Sequence, residues 1–200
     1  MIDALARALR EQPPTLIAIG ASAGAVDALS QLLPELPATL GAPVLIVVHM
    51  PPGRRSALPE LFSASCALAT LEAEDKSMPD PGGVYFAPPD YHLLVERDGS
   101  LALSVDEPVH HSRPSIDVLF ESVADAIGGG ALGILLSGAS RDGADGLRRI
   151  RQAGGRTWVQ APETAQVAVM PQAALELAPH PTMDPRSMGR ALAAWRHADA

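Results

Sequence analysis

The stretch Gly20-Ala-Ser22-Ala-Gly24 sets a serine between small neighbours, after the apolar run Leu16–Ile19 and ahead of an amphipathic pattern. A nucleophile elbow needs this spacing, because small flanking residues let the serine stand exposed on a sharp strand-to-helix turn. The same residues also suit a helix N-cap, where a serine hydroxyl accepts a free amide of the first turn. Two further polar residues follow apolar runs. His49 closes Val44–Val48, and Asp142 lies in the glycine-rich loop after Leu132–Leu136. Serine, histidine and aspartate are the residue types of a nucleophile, its general base and the group that orients the base. Each has an ordinary alternative. His49 could be a buried histidine satisfied by a carbonyl, and Asp142, before Gly143, could cap the next helix. Asp145 reads as serving that helix.

The elements that would have to position these residues are legible around them. Short, nearly continuous apolar runs at Leu16–Ile19, Val44–Val48, Val84–Ala87, Leu132–Leu136 and Thr157–Val159 read as strands buried on both faces. Between them, Leu29, Leu32, Leu33 and Leu36 fall on one helical face, closed by Pro37 and broken early by Pro34. Ile116, Leu119, Phe120, Val123 and Ile127 repeat the pattern, with Pro114 before it and Gly128–Gly130 after. A further helix is predicted over Ala144–Ala153, and Asp98-Gly99 between two alternating runs predicts an antiparallel hairpin. Together these give an α/β fold: a three-layer α/β/α sandwich with a mostly parallel, doubly wound sheet and an antiparallel hairpin addition. Such a sheet binds ligands beyond the carboxyl ends of its strands, so Ser22, His49 and Asp142 are expected on one edge. The amide of Ala23, at the start of the helix after Ser22, is a candidate oxyanion donor.

Composition narrows the alternatives. A net charge of −8 over 200 residues disfavours nucleic acid and anionic membranes as partners. With Cys66 as the single cysteine, a disulfide framework is excluded. The first residues lack a signal peptide's apolar centre and no run reaches about 18 apolar residues, so a soluble cytoplasmic protein without membrane insertion is expected. His92, His110 and His111 lack a carboxylate at ligand spacing, and no metal or cofactor is read from the sequence. GASAGA fits neither Gly-x-Gly-x-x-Gly nor a Walker loop, which argues against nucleotide binding. An ordinary α/β-hydrolase orders its partners Ser, Asp, His, whereas here the order is Ser22, His49, Asp142.

Six stretches in order, IGASAGAVDAL, VVHMPPG, VYFAPPDYHLLVE, RPSIDVLFESVA, LSGASRDGADGL and VQAPETAQVAVMPQAAL, run from about Leu16 to about Leu177. In them the chain resembles the catalytic domain of the protein-glutamate methylesterases of bacterial chemotaxis, the CheB type. The resemblance implies hydrolysis of glutamate γ-methyl esters on the cytoplasmic helices of chemoreceptors, with methanol released, and in many members deamidation of receptor glutamines. Carried over by motif, the nucleophile is Ser22, the base is His49 in HMP and the orienting carboxylate is Asp142 in RDG. The backbone amides of Ala23 and Ala139 are the implied oxyanion hole. Three positions depart from the family pattern: Ala25 and Ser140 stand where glycines are usual, and Ala139 where methionine is common. The Ala25 and Ala139 changes keep a catalytically weak or inactive regulatory binding module of the same fold in view. Well-studied members also carry an N-terminal receiver domain. Here DALARALR before Leu16 reads as one short helix, so a stand-alone form is expected: one domain over 1–200, core about 15–180, and a terminal helix over 185–196. Arg54 and Arg55, in the loop after His49, are candidate contacts to an acidic receptor helix.

Overall fold

The computed structural model describes residues 2–50, 53 and 56–196. In chain order the strands are β1 (Leu16–Ala21), β2 (Val44–Val48), β3 (Ala69–Glu72), β4 (Gly83–Phe86), β5 (His92–Val95), β6 (Leu101–Ser104), β7 (Ala131–Leu135), β8 (Arg156–Gln160) and β9 (Thr182–Met183). Seven of them form one sheet in the order β3-β4-β2-β1-β7-β8-β9, and every pairing in it is parallel. β1, β2, β4 and β7 are buried at every position, which is why they read as unbroken apolar runs.

The helices are α1 (Ile2–Glu11), α2 (Ala25–Leu32), α3 (Leu58–Ser63), α4 (Ile116–Ile127), α5 (Ala144–Gln152), α6 (Val169–Leu177) and α7 (Pro185–Arg196). Side chains alternate across a strand, so β1 divides its residues between two cores. Ile17 and Ile19 join Leu9, Leu29 and Leu192 under α1, α2 and α7, while Leu16 and Ala18 join Phe120, Leu147 and Ile150 under α4 and α5. Pro34 ends α2 early, as its missing donor requires, and leaves a 3₁₀ turn at Leu33–Glu35.

The expected hairpin is present as β5 and β6, with Gly99 at φ +88° in its turn, but it forms a sheet of its own rather than an extension of the main one. It packs on α4, where the Val95 amide donates to Ser122 Oγ at 3.0 Å. Four elements carried too little signal to be read. β3 is an exposed edge strand of four residues, β9 has two, α3 has six, and α6 holds Pro171 in its first turn.

Candidate active site

Chain order runs outward from β1 in both directions, to β2 and β4 on one side and to β7, β8 and β9 on the other. The carboxyl ends of β1, β2 and β7 therefore flank the point where strand order reverses. Ser22 follows β1, His49 follows β2, and Asp142 lies in the loop between β7 and α5.

Two glycines shape the first of these connections. A Cβ on Gly20 would fall 2.2 Å from Ile116 Cγ2, so the missing side chain lets the start of α4 rest on the end of β1. Gly24 has φ +83°, a conformation that favours glycine, and a Cβ there would meet Ser137 Oγ at 2.6 Å. Gly24, not Ser22, is the N-cap of α2, and no side chain caps that end. The Ser22 hydroxyl is thus spared from capping. The backbone around it is pinned: the Ser22 amide donates to the Ser137 carbonyl at 2.9 Å, and Ser137 Oγ donates to the Ala23 carbonyl at 2.7 Å.

Asp142 is fully buried and takes four donors. Its Oδ1 accepts Ser115 Oγ at 2.8 Å and the Asp117 amide at 3.0 Å. Its Oδ2 accepts the Ile116 amide at 2.8 Å and His49 Nε2 at 2.6 Å. The alternative of a helix cap is met in an unforeseen way, because the carboxylate caps α4 across the layer and leaves its own helix to Gly143. Burial opposes the charge on Asp142. The donation from His49, the two first-turn amides of α4 and the Ser115 hydroxyl outweigh it and hold the carboxyl below its ordinary range.

With Nε2 committed to Asp142, His49 presents Nδ1 as its acceptor. Ser112 Oγ lies 3.4 Å from that nitrogen. Ser22 and His49 line one cleft of about 320 Å³ with Val26, Met50, Leu58 and Gln166. Among the described residues no hydrogen bond joins the Ser22 hydroxyl to His49.

The family model for CheB methylesterase matches residues 17–192. The chain belongs to the CheB methylesterase family. A Symbiobacterium thermophilum protein-glutamate methylesterase/protein-glutamine glutaminase is 41% identical over 165 residues, 82% of this chain and 46% of that protein. The Archaeoglobus fulgidus protein of the same name is 40% identical over 164 residues, 80% of this chain and 47% of that one. The chain thus spans about half the length of these two relatives, whereas a Leptospira interrogans relative, 42% identical over 160 residues, is matched over 83% of its length. The crystal structure of the Thermotoga maritima CheB methylesterase catalytic domain superposes with a TM-score of 0.85 at 28% identity, covering 90% of this chain and 97% of that one.

The positions where this chain departs from the family pattern are accommodated locally. Ala25 is buried, and its amide donates to the Ser22 carbonyl at 3.0 Å. Ser140 Oγ accepts the Asp142 amide at 3.3 Å and so braces the loop. Ala139 is exposed. The Gly138 carbonyl accepts the Met170 amide at 3.0 Å, and because a peptide is planar this fixes the direction of the Ala139 N–H. In the same way the Ser22 carbonyl, held by Ala25, fixes the Ala23 N–H. Among the described residues neither of those two N–H groups has a hydrogen-bond partner. Arg54 and Arg55 lie outside the described residues.

The three histidines considered for metal part company. His92 is buried, accepting the Ser115 amide on Nδ1 and donating to the Glu107 carbonyl. His111 is exposed. His110 does approach carboxylates, a neighbourhood that sequence spacing could not supply: its ligand atom and those of Asp117 and Asp142 all lie within 4.8 Å of one another. Asp142 already has its lone pairs filled by four donors, so this is a hydrogen-bonded cluster and not a metal cage. Ser115, Asp117 and Ser137 are the site-forming residues that sequence reading missed. For Ser115 and Asp117 the available signal was the polar pair inside RPSID, at the start of an apolar helix.

Proposed function

We propose that this chain is a serine hydrolase that demethylates glutamate γ-methyl esters on the cytoplasmic helices of chemoreceptors, and that it also deamidates glutamines there. The observation that carries the reading is the 2.6 Å contact between His49 Nε2 and the buried Asp142, at the edge of the cleft that Ser22 lines. Ser22 Oγ attacks the γ-carbonyl while His49 Nδ1 takes its proton. Asp142 keeps the other ring nitrogen protonated and stabilises the imidazolium. The oxyanion lies against the Ala23 and Ala139 amides, whose directions are fixed before substrate arrives; each such donor contributes about 3 kcal/mol to the transition state. The tetrahedral adduct collapses, the proton passes from Nδ1 to the methoxide, and methanol departs. Water then attacks the acyl-serine by the same route in reverse, releasing the glutamate. With a glutamine substrate, ammonia leaves in place of methanol.

The names and titles of the relatives support the reaction class, and the geometry supports the assignment of roles. A cytoplasmic location follows from the proposed substrate. The residues that favoured an inactive binding module, Ala25 and Ala139, both leave the backbone donors in place, so hydrolysis is the reading the site supports best. The test is methanol release from a methylated chemoreceptor cytoplasmic fragment, with Ser22→Ala beside the wild type. Release by the wild type alone is expected; equal release by both overturns the assignment of Ser22.

A further inference from the structure

Behind the His49–Asp142 pair lies a second carboxyl group that the reaction above leaves unused. Asp117 sits in the first turn of α4 and is 4% exposed. Its backbone amide serves Asp142 Oδ1, while its side chain is held from two other directions. Oδ1 accepts the Gly146 amide of α5 at 2.7 Å, and Oδ2 lies 3.3 Å from His110 Nε2. A Cβ at position 146 would fall 3.0 Å from the Asp117 backbone and 2.7 Å from Phe120 Cβ, so glycine there is what brings α5 onto this group.

The two carboxyl groups are not equivalent. Asp142 has four donors and no exposure; Asp117 has one amide and one imidazole. When one proton is available to such a pair, it stays on the member with fewer donors. Burial first, and then the neighbouring Asp142 charge, push the Asp117 carboxyl up to about 6, against the Gly146 amide and His110. His110 is itself held in place by backbone geometry. Val109 and Ser112 exchange both of their amide–carbonyl hydrogen bonds, at 3.1 and 2.9 Å, around His110 and His111 with φ +49° and +64°. Two consecutive side chains in the left-handed region are unfavourable, and such turns persist where the surroundings fix them. The same turn carries Ser112 to His49 Nδ1. It therefore touches the site at both ends.

We propose that Asp117, partnered by His110, is a positioning residue that acts through Asp142, its charge state setting how firmly His49 holds a proton. The titratable groups around Asp117 are Asp142 from the loop before α5, His110 from the 109–112 turn, His92 of β5 through the Ser115 amide, and His49 at the end of β2 through Asp142. On α5, Asp145, Arg148 and Arg149 are engaged on the exposed side with Arg141 and Asp125. When Asp117 is protonated, one negative charge stands behind His49. When it ionises, a second is added, the imidazolium is favoured, and His49 becomes a stronger base that needs a higher pH to be free. His110, with its side chain 39% exposed, is the route by which that proton reaches solvent.

The inference rests on the His49–Asp142 reading but not on the substrate. The first readout is the pH profile of covalent labelling at Ser22 by a fluorophosphonate, and the second is an NMR titration of the His49 ring. In the wild type the ring titration is expected to show two inflections, because the sites interact. Asp117→Asn, which keeps an acceptor for the Gly146 amide, should leave a single inflection and move the acid limb of labelling to lower pH by about one unit. His110→Gln removes the imidazole that faces Asp117 Oδ2 and should move the Asp117 inflection to higher pH. Superimposed profiles for the three proteins would overturn the proposal. If none is labelled, the nucleophile assignment fails and the ring titration still decides this one. If Asp117→Asn does not fold, His110→Gln, made on an exposed turn, decides alone: an unmoved inflection refutes.

Discussion

Asp142→Asn is the substitution that asks most of the site. An asparagine in the same volume keeps one acceptor oxygen and turns an NH₂ group toward former donors. With its oxygen on the Oδ2 side it still accepts from His49 and the Ile116 amide. The NH₂ then faces Ser115, whose hydroxyl can rotate to accept, and the Asp117 amide, which cannot. A buried N–H left facing a donor costs about 1–3 kcal/mol, and weakening the remaining charge-assisted bonds adds about 1–2. The expected loss is thus about 2–5 kcal/mol, or a melting temperature lower by about 10 °C for a chain of this length. Labelling at Ser22 should slow by about 10³–10⁴-fold, because the imidazole loses the charge that orients it and stabilises the imidazolium, although the carboxamide oxygen keeps its tautomer. The pH dependence has a definite sign. A carboxyl held below its ordinary range contributes stability that is full above about pH 4 and is lost as pH falls through the folded value. The gap between variant and wild type should therefore close in acid. Ser22→Ala is the companion measurement, and it should abolish labelling with little change in melting. A variant that melts within about 2 °C of the wild type and labels within about tenfold would refute the reasoning.

Three more expectations follow from particular contacts. Ser112→Ala removes the hydroxyl 3.4 Å from His49 Nδ1, and labelling by mass spectrometry should still fall on Ser22, with a rate within about threefold of wild type; loss of labelling would make Ser112 the nucleophile. Gly24→Ala puts a Cβ against Ser137 Oγ and Gln166 at a left-handed position, and thermal unfolding should report about 2–4 kcal/mol lost. His180 is buried, and burial together with the Arg151 charge moves its pKa down to about 4. The unfolded chain takes up that proton first, so folded stability should fall between about pH 6.5 and 4; in His180→Gln about 2–3 kcal/mol of that fall should be missing from urea titrations.

Much of this arrangement could be read from the amino-acid order, and the limit has a physical cause. Val44–Val48 and Leu132–Leu136 announced themselves because both faces of each strand are covered, and Ser22, His49 and Asp142 stood out as polar residues of matching chemistry just beyond such runs. Short or exposed elements such as β3 and β9 have no comparable pattern, since an edge strand needs no continuous apolar face. Asp142 was legible as a candidate, but its service to α4 was not, because Ile116 and Asp117 reach it only through the packing of α4 onto Gly20. The same holds for His110, whose partner Asp117 is neighbour to it in space through a turn that no glycine or asparagine announced. Side chains that meet across layers leave no spacing in the sequence to be found.

The central strand has a consequence for how the chain comes into being. β1 pairs with β2, close in sequence, and with β7, whose register sets Leu16 beside Ala131 and Gly20 beside Leu135. Contacts of such separation form late, because closing the intervening loop costs entropy before any pairing repays it. During synthesis from the N-terminus, Ser22 and His49 emerge long before the segment that carries Asp142. A nascent chain, or one truncated before Ala131, therefore lacks the carboxylate that holds His49 Nε2 in the full chain. On the proposed roles of Ser22, His49 and Asp142, hydrolytic competence arrives only with the second half of the sheet, so the emergence of labelling at Ser22 would time the docking of β7 on a ribosome-bound or refolding chain.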